Sequence, residues 1–192
     1  MELAAFIGQV RDHYVEQFEA FVAAQKREGA QGASEVKLRL NETSELFGHL
    51  YCVDFLKGDG GGETRVVELQ PERVLSFSEV QGAIGEAALL VEHLRWDDVV
   101  ILHDAPPFPP DMLLAWFERW FDPNDQRHAV GEEISRVIHS MLARPGMLSI
   151  DFGTAPPEAF VELLALLEQV GALSIRVTAS RAEAPAAANQ DD

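Results

Sequence analysis

The chain has 192 residues, 47% apolar and 24% charged, which suffices for one domain hiding roughly 70% of its unfolded surface but hardly for two separate cores. Thirty-two acids against fifteen bases give a formal charge of −17, a surface that repels nucleic-acid phosphates and anionic bilayers, and no apolar run approaches the ~20 residues of a membrane span. The N-terminal MELAAFIGQVRDHYVEQ lacks the basic start and apolar block of a secretory signal, and a single cysteine, Cys52, forms no internal disulfide, so a cytoplasmic protein is expected.

From Leu3 to Val22 the apolar residues Leu3, Ile7, Val10, Tyr14, Phe18 and Phe21 fall at steps of three and four, which predicts an amphipathic helix of about 25 residues. Its aromatic stripe packs on the domain's own sheet or on a second copy. Val36, Leu38 and Leu40, then residues 46–56, then 64–69 alternate as strands separated by polar and glycine-rich turns, an antiparallel meander. Residues 73–77 suggest a fourth strand. Between Glu79 and Trp96, Ile84, Ala87, Ala88, Val91 and Leu94 recur at helical steps, and Val99 to Leu102 reads as a buried strand.

Prolines 106, 107, 109 and 110 then forbid regular structure until Asp111, a candidate N-cap for MLLAWFERWF. A further helix is expected over 132–143, ending before Pro145-Gly146. MLSIDFG alternates as a strand, Thr154 can cap a helix running to Val170, and Leu173, Ile175 and Val177 form another strand; together they make a crossover unit with parallel strands. Phe160, Val161, Leu163, Leu164, Leu166, Leu167 and Val170 leave only a narrow polar stripe on that helix, so it is buried on more than one side. Residues 181–192, RAEAPAAANQDD, have no large apolar anchor and read as a disordered tail.

His103 and Asp104 end the strand VVILHD, and Asp151 ends LSIDFG. Ligands collect beyond the carboxyl ends of parallel strands, and a histidine with two carboxylates suits metal binding or acid-base work. His139, expected on the helix before LSIDFG, is a further member, although Ser135 at i−4 denies it a paired metal-ligand spacing. Polar residues also end strands simply because the chain leaves the core there, and no metal or cofactor is expected.

Residues 122–133 place Asp122, Asn124, Gln126 and Glu133 at the first, third, fifth and twelfth places of a calcium loop, but Arg127 stands where the sharp turn demands glycine. Gly58 to Gly62 has no Gly-Lys-Ser/Thr and precedes a strand, so it is a hairpin tip and not a phosphate loop. Asp151-Phe152-Gly153 lacks every other element of a protein kinase, Cys52 lacks a cationic neighbour that would activate it, and no Gly-x-Ser-x-Gly elbow exists.

The sequence therefore predicts one α+β domain over residues 1–180, a mixed sheet beginning as an antiparallel meander and ending in a parallel βαβ unit, followed by the 181–192 tail. By elimination the function expected is that of a non-enzymatic protein-binding or homo-oligomeric module. Phe6, Tyr14, Phe18, Trp116 and Trp120 are its candidate contact residues, and an acidic inhibitor of a basic partner is one form of it. The rival is a metal-dependent enzyme or small-ligand binder around His103, Asp104 and Asp151.

Overall fold

A computed structural model describes residues 3–27, 31–58, 63–127 and 134–180. The apolar spacing at the N-terminus produces helix α1, Leu3–Arg27, which buries Phe6, Ile7, Val10, Tyr14, Val15, Phe18 and Val22 along one stripe. Lys26 and Arg27 occupy its last turn, where cations complement the helix dipole.

The meander follows as β1 (Gln31–Arg39), a 3-10 turn at Phe47–His49, β2 (Leu50–Gly58) and β3 (Thr64–Val67), all antiparallel. It forms a three-stranded sheet of its own instead of opening the larger one. Residues 73–77 are irregular and add no strand.

The helix expected between Glu79 and Trp96 is a β-hairpin, β4 (Val80–Ile84) and β5 (Ala87–Val91), joined by Gly85 and Glu86. Glycine in the first central place of a two-residue turn, here with φ of 54°, suits the twist of paired strands. The apolar residues that mimic helical steps are in fact alternating, with Ala87, Leu89 and Val91 buried. The second misread helix is likewise a strand. Residues 134–139 are irregular, with Arg136 at φ 58°, and β7 (Ser140–Arg144) turns at Pro145-Gly146, φ 73° at the glycine, into β8 (Met147–Asp151). The rest of that expected helix, and the 181–192 tail, lie outside the described residues.

β6 (Val99–His103) and β9 (Ser174–Thr178) complete a six-stranded sheet in the order β4-β5-β9-β6-β8-β7. β8 and β9 do run parallel across helix α3, Pro157–Gln169, but β6 lies between them and is antiparallel to both. Helix α2 spans Pro110–Phe121, so Asp111 sits in its first turn and is not its cap. α3 starts after Pro156, and Thr154 is committed elsewhere. α3 packs against both other helices, and its Phe160, Leu163, Leu164 and Leu167 are fully buried with Ile101, Ile150, Ile175 and Val177 of the sheet. This is one α+β domain. No helix among the described residues is long and apolar enough to cross a membrane.

Candidate functional site

The expected trio of His103, Asp104 and Asp151 does not form. β6 and β8 pair antiparallel, Val99 opposite Ile150 and Leu102 opposite Met147, so their carboxyl ends lie at opposite ends of the sheet. His103 donates its backbone N–H to Gly146 O at 3.0 Å, which leaves it about five strand residues, or ~17 Å, from Asp151. The expectation assumed parallel neighbours, and in this sheet only β5 and β9 pair that way.

Asp151 and His139 do meet, in company that the sequence reading passed over. His139 is not helical. It stands in the irregular entry to β7, under Phe18 of α1, where the two rings make an edge contact at 5.7 Å. Its Nε2 lies 3.1 Å from Glu35 Oε1 of β1, and its Nδ1 lies 3.0 Å from Asp54 Oδ1 of β2 and 4.0 Å from Asp151 Oδ2. Asp54 sits off the direction of the ring N–H, so that contact is an ion pair and not an aligned hydrogen bond. The Thr154 hydroxyl donates to Glu35 Oε1 at 2.5 Å, the Ser135 N–H donates to Glu35 Oε2, and Leu69 N–H donates to Asp54 Oδ2 at 2.6 Å. Cys52 N–H donates to His139 O at 2.7 Å, which ties β2 directly to the same segment. A β-carbon on Gly153, φ 49°, would fall 2.1 Å from the imidazole Cδ2, so glycine there makes room for the ring.

Charge follows from this packing. Burial alone would lower the pKa of His139, but Asp54, Glu35 and Asp151 raise it well above the ordinary histidine value. Cys52 is no part of that field at neutral pH, because burial pushes its thiol up to about 12. Burial works to raise Glu35 and Asp54 too, yet pairing with His139, together with the hydrogen bonds from Thr154 and Ser135 to Glu35 and from Leu69 to Asp54, holds both below the usual carboxylate range. Asp151 and Glu68, which lack so direct a partner, are lifted to about 7 by burial, with the charge of Asp54 adding to the rise in both. Tyr14 is raised above 10 by burial and then by Asp151, Asp54, Asp97 and Glu35.

The side chains of His139 and Glu35 are 1% and 0% exposed, while Asp151 beside them keeps 29% of its side chain exposed. Glu35 and Asp54 address opposite ring nitrogens, which denies an ion a common centre, and no group of three or more potential ligands that could hold a metal ion occurs among the described residues. What the cluster does is clamp the three-stranded sheet to the larger one.

His103 has the opposite character. Its neighbour Asp104 turns to accept the N–H groups of Leu173 and Ser174, both at 2.9 Å, and these hold its carboxyl below the usual range. The imidazole is left against Phe108, edge-on at 6.0 Å, with both ring nitrogens buried and without a hydrogen-bond partner. Burial lowers its pKa, against a weaker pull from Asp104, so the ring is neutral at pH 7. It lines a cleft of about 580 Å³, open mouth included, whose walls are mainly Pro106, Pro107, Phe108, Leu113, Pro145 and Leu148. The proline run that breaks the chain between β6 and α2 thus builds one wall, and the β7–β8 turn builds the other.

The five aromatic contact candidates are core residues. Phe6, Tyr14, Phe18, Trp116 and Trp120 are each 5% exposed or less. Trp116 Nε1 donates to Ala159 O and Trp120 Nε1 to Glu162 Oε2, so α2 is sewn onto α3. The calcium-like loop is also committed, since Asp122 accepts the N–H groups of Gln126 and Arg127 at 2.9 and 2.8 Å; residues 128–133 lie outside the described part. Comparison with protein-family models, with curated proteins and with solved structures finds no match to this chain.

Proposed function

We propose that the protein is a non-enzymatic binding module that holds a small, largely apolar molecule in the cleft at His103. One observation carries this reading: the His103 imidazole, whose two ring nitrogens have no hydrogen-bond partner, lines an otherwise largely apolar cleft. A buried polar atom left unpaired costs about 1–3 kcal/mol, so it calls for a reason beyond packing. Apolar walls with a single orienting polar group are the usual make-up of a small-molecule site. Catalysis is disfavoured by the company His103 lacks. Asp104 is bonded to backbone, and the acid-base cluster around His139 is a separate one whose histidine is buried. The reading of a protein partner gripped by the aromatic stripe loses its surface, because that stripe lies inside the fold.

The test uses the full chain and a panel of small probes, toluene, p-cresol and indole, followed by calorimetry and thermal unfolding. At ten times its dissociation constant a probe stabilises the folded state by about 1.4 kcal/mol, which raises the melting temperature by roughly 3–5 °C in a domain of this size. Ala143→Phe, which fills the cleft, should abolish the effect. If no probe binds, or if binding survives Ala143→Phe, the proposal is wrong.

A further inference from the structure

We infer that the open face of the six-stranded sheet docks a cationic amphipathic helix of another protein.

Alternation along the strands defines this face. Ile101, Ile150, Ile175 and Val177 are buried with α3, so their neighbours in sequence point the opposite way. Strand register sets these neighbours in two rows. Leu90 of β5 stands opposite Arg176 of β9, Arg176 opposite Leu102 of β6, and Leu102 opposite Met147 of β8. In the second row Thr178, Val100, Ser149 and Leu142 follow one another from β9 to β7. Both α1 and α2 pack against α3 on the far side, and Leu102, in the middle of the first row, is 37% exposed. An antiparallel sheet with one bare face ordinarily turns polar residues to water. Here Leu90, Val100, Leu102, Leu142 and Met147 form a contiguous apolar patch instead, the kind of surface that marks a contact site.

Charge selects the occupant. Asp98 and Asp104 share this face of β6 with Val100 and Leu102, one at each end of the apolar pair. Asp98 accepts the Ser180 hydroxyl, and Asp104 accepts the N–H groups of Leu173 and Ser174, which hold its carboxyl below the usual range. The two arginines on the face have acids of their own, Arg176 with Glu92 at 2.7 Å and Arg144 with Glu45. Acids thus outnumber bases around the patch, on a chain of formal charge −17. A second copy would lay a like-charged rim on this one, whereas a partner rich in Lys and Arg is drawn to it.

Shape selects a helix. From Leu90 to Met147 the first row crosses three strand spacings, about 14 Å, which two to three turns of helix cover at ~5.4 Å per turn. α3 closes the other face of the same sheet in this way, its apolar stripe against the strands. A helix with apolar residues on one side and Lys or Arg on the other meets the patch and the acids together.

The experiment titrates the full chain at pH 7.5 with three fluorescein-labelled peptides of about fourteen residues: leucine and lysine in helical period, the same residues in strict alternation, and leucine and glutamate in helical period. The leucine–lysine helix should bind at least fivefold tighter than the alternating peptide and more than tenfold tighter than the glutamate one. Leu102→Gln should weaken it about fivefold, the loss expected for part of a leucine's burial. Leu114→Gln, at a leucine of similar exposure on α2, should change it by less than twofold. Methyl spectra of the methionines locate the peptide without any variant: Met147 on the face should shift, and Met112, in the groove between α2 and α3, should not. Absence of binding by the leucine–lysine helix, equal binding by either other peptide, equal effects of Leu102→Gln and Leu114→Gln, or a shift at Met112 without one at Met147 would overturn the inference. So would a chain that sediments as a dimer and becomes a monomer in Leu102→Gln, because the face would then belong to a second copy.

Discussion

Burying an imidazolium among carboxylates is favourable only where nearly every polar atom finds a partner, and Glu35 shows how completely this chain arranges it. One of its oxygens faces His139 and Thr154, and the other accepts the Ser135 N–H. Removing that carboxylate leaves a buried cation, a hydroxyl and an amide without their acceptor. Glu35→Ala should therefore cost about 3–5 kcal/mol in urea unfolding, and Glu35→Gln, which keeps the volume and one of the two acceptor oxygens, should cost less. A loss under about 1 kcal/mol for the alanine variant would show that the clamp does not hold the sheets together. A trace of this site was legible in the sequence. Asp54 is a lone acid inside the apolar run YCVDFL, and Glu35 precedes the alternating Val36, Leu38 and Leu40, positions where a carboxylate needs a reason to be buried. Their common partner was not legible, because the pairs with His139 span 104 and 85 positions and only the fold brings them together. Thr154, a candidate helix cap by its sequence, stands two residues before the Pro156 N-cap of α3, where its hydroxyl donates to Glu35 and accepts the Val137 N–H.

The elements divide by how much chain they needed to declare themselves. α1 and α3 announced their period over three or more turns, and tertiary packing then agreed with it. The two misread segments are short strands in which a glycine turn outranks apolar spacing. Ile84, Ala88 and Val91 fit a helix as well as a strand, but Gly85 divides them at the only point where a two-residue turn places Ile84 opposite Ala87. With φ of 54° this position penalises any side chain, and an added β-carbon would stand 2.4 Å from Glu168 Oε1. Because the Glu168 side chain can swing aside, the backbone term remains, and Gly85→Ala should destabilise the protein by about 1–2 kcal/mol. The comparison is Gly82→Ala in the same hairpin, where a β-carbon meets nothing within 4 Å and no such penalty applies. Equal effects at the two glycines would remove the turn from the account. The same logic governs the strand ends. His103 and Asp151 were correctly placed at ends of strands, and their separation depended on strand direction, which residue patterns do not encode.

At the scale of the whole molecule the acidic composition and the raised groups around the clamp act in the same direction on stability. Asp151 and Glu68 carry folded pKa values of about 7, against ordinary carboxylate values once the chain unfolds. Between those values the native state binds protons that the unfolded chain has released, so stability falls as pH rises through that window. His139 shifts upward too: its contribution is complete below its unfolded value near 6.5 and fades as pH climbs through its higher folded value. Glu35 and Asp54 have the opposite sign. Their depressed folded values make them stabilising above the unfolded carboxylate range and costly as pH falls through the folded values. The formal charge of −17 adds self-repulsion as the remaining acids ionise. The melting temperature should therefore peak near the unfolded carboxylate range, about pH 4 to 5, and decline toward pH 9. Scanning calorimetry between pH 3 and 9 measures this. Asp151→Asn supplies the control, because it keeps the shape, removes one titrating site and should flatten the decline between about pH 4 and 7 without moving the acid limb. A maximum at or above pH 8, or an unchanged slope in Asp151→Asn, would mean that the raised carboxylates Asp151 and Glu68 are not what sets the pH response of this fold.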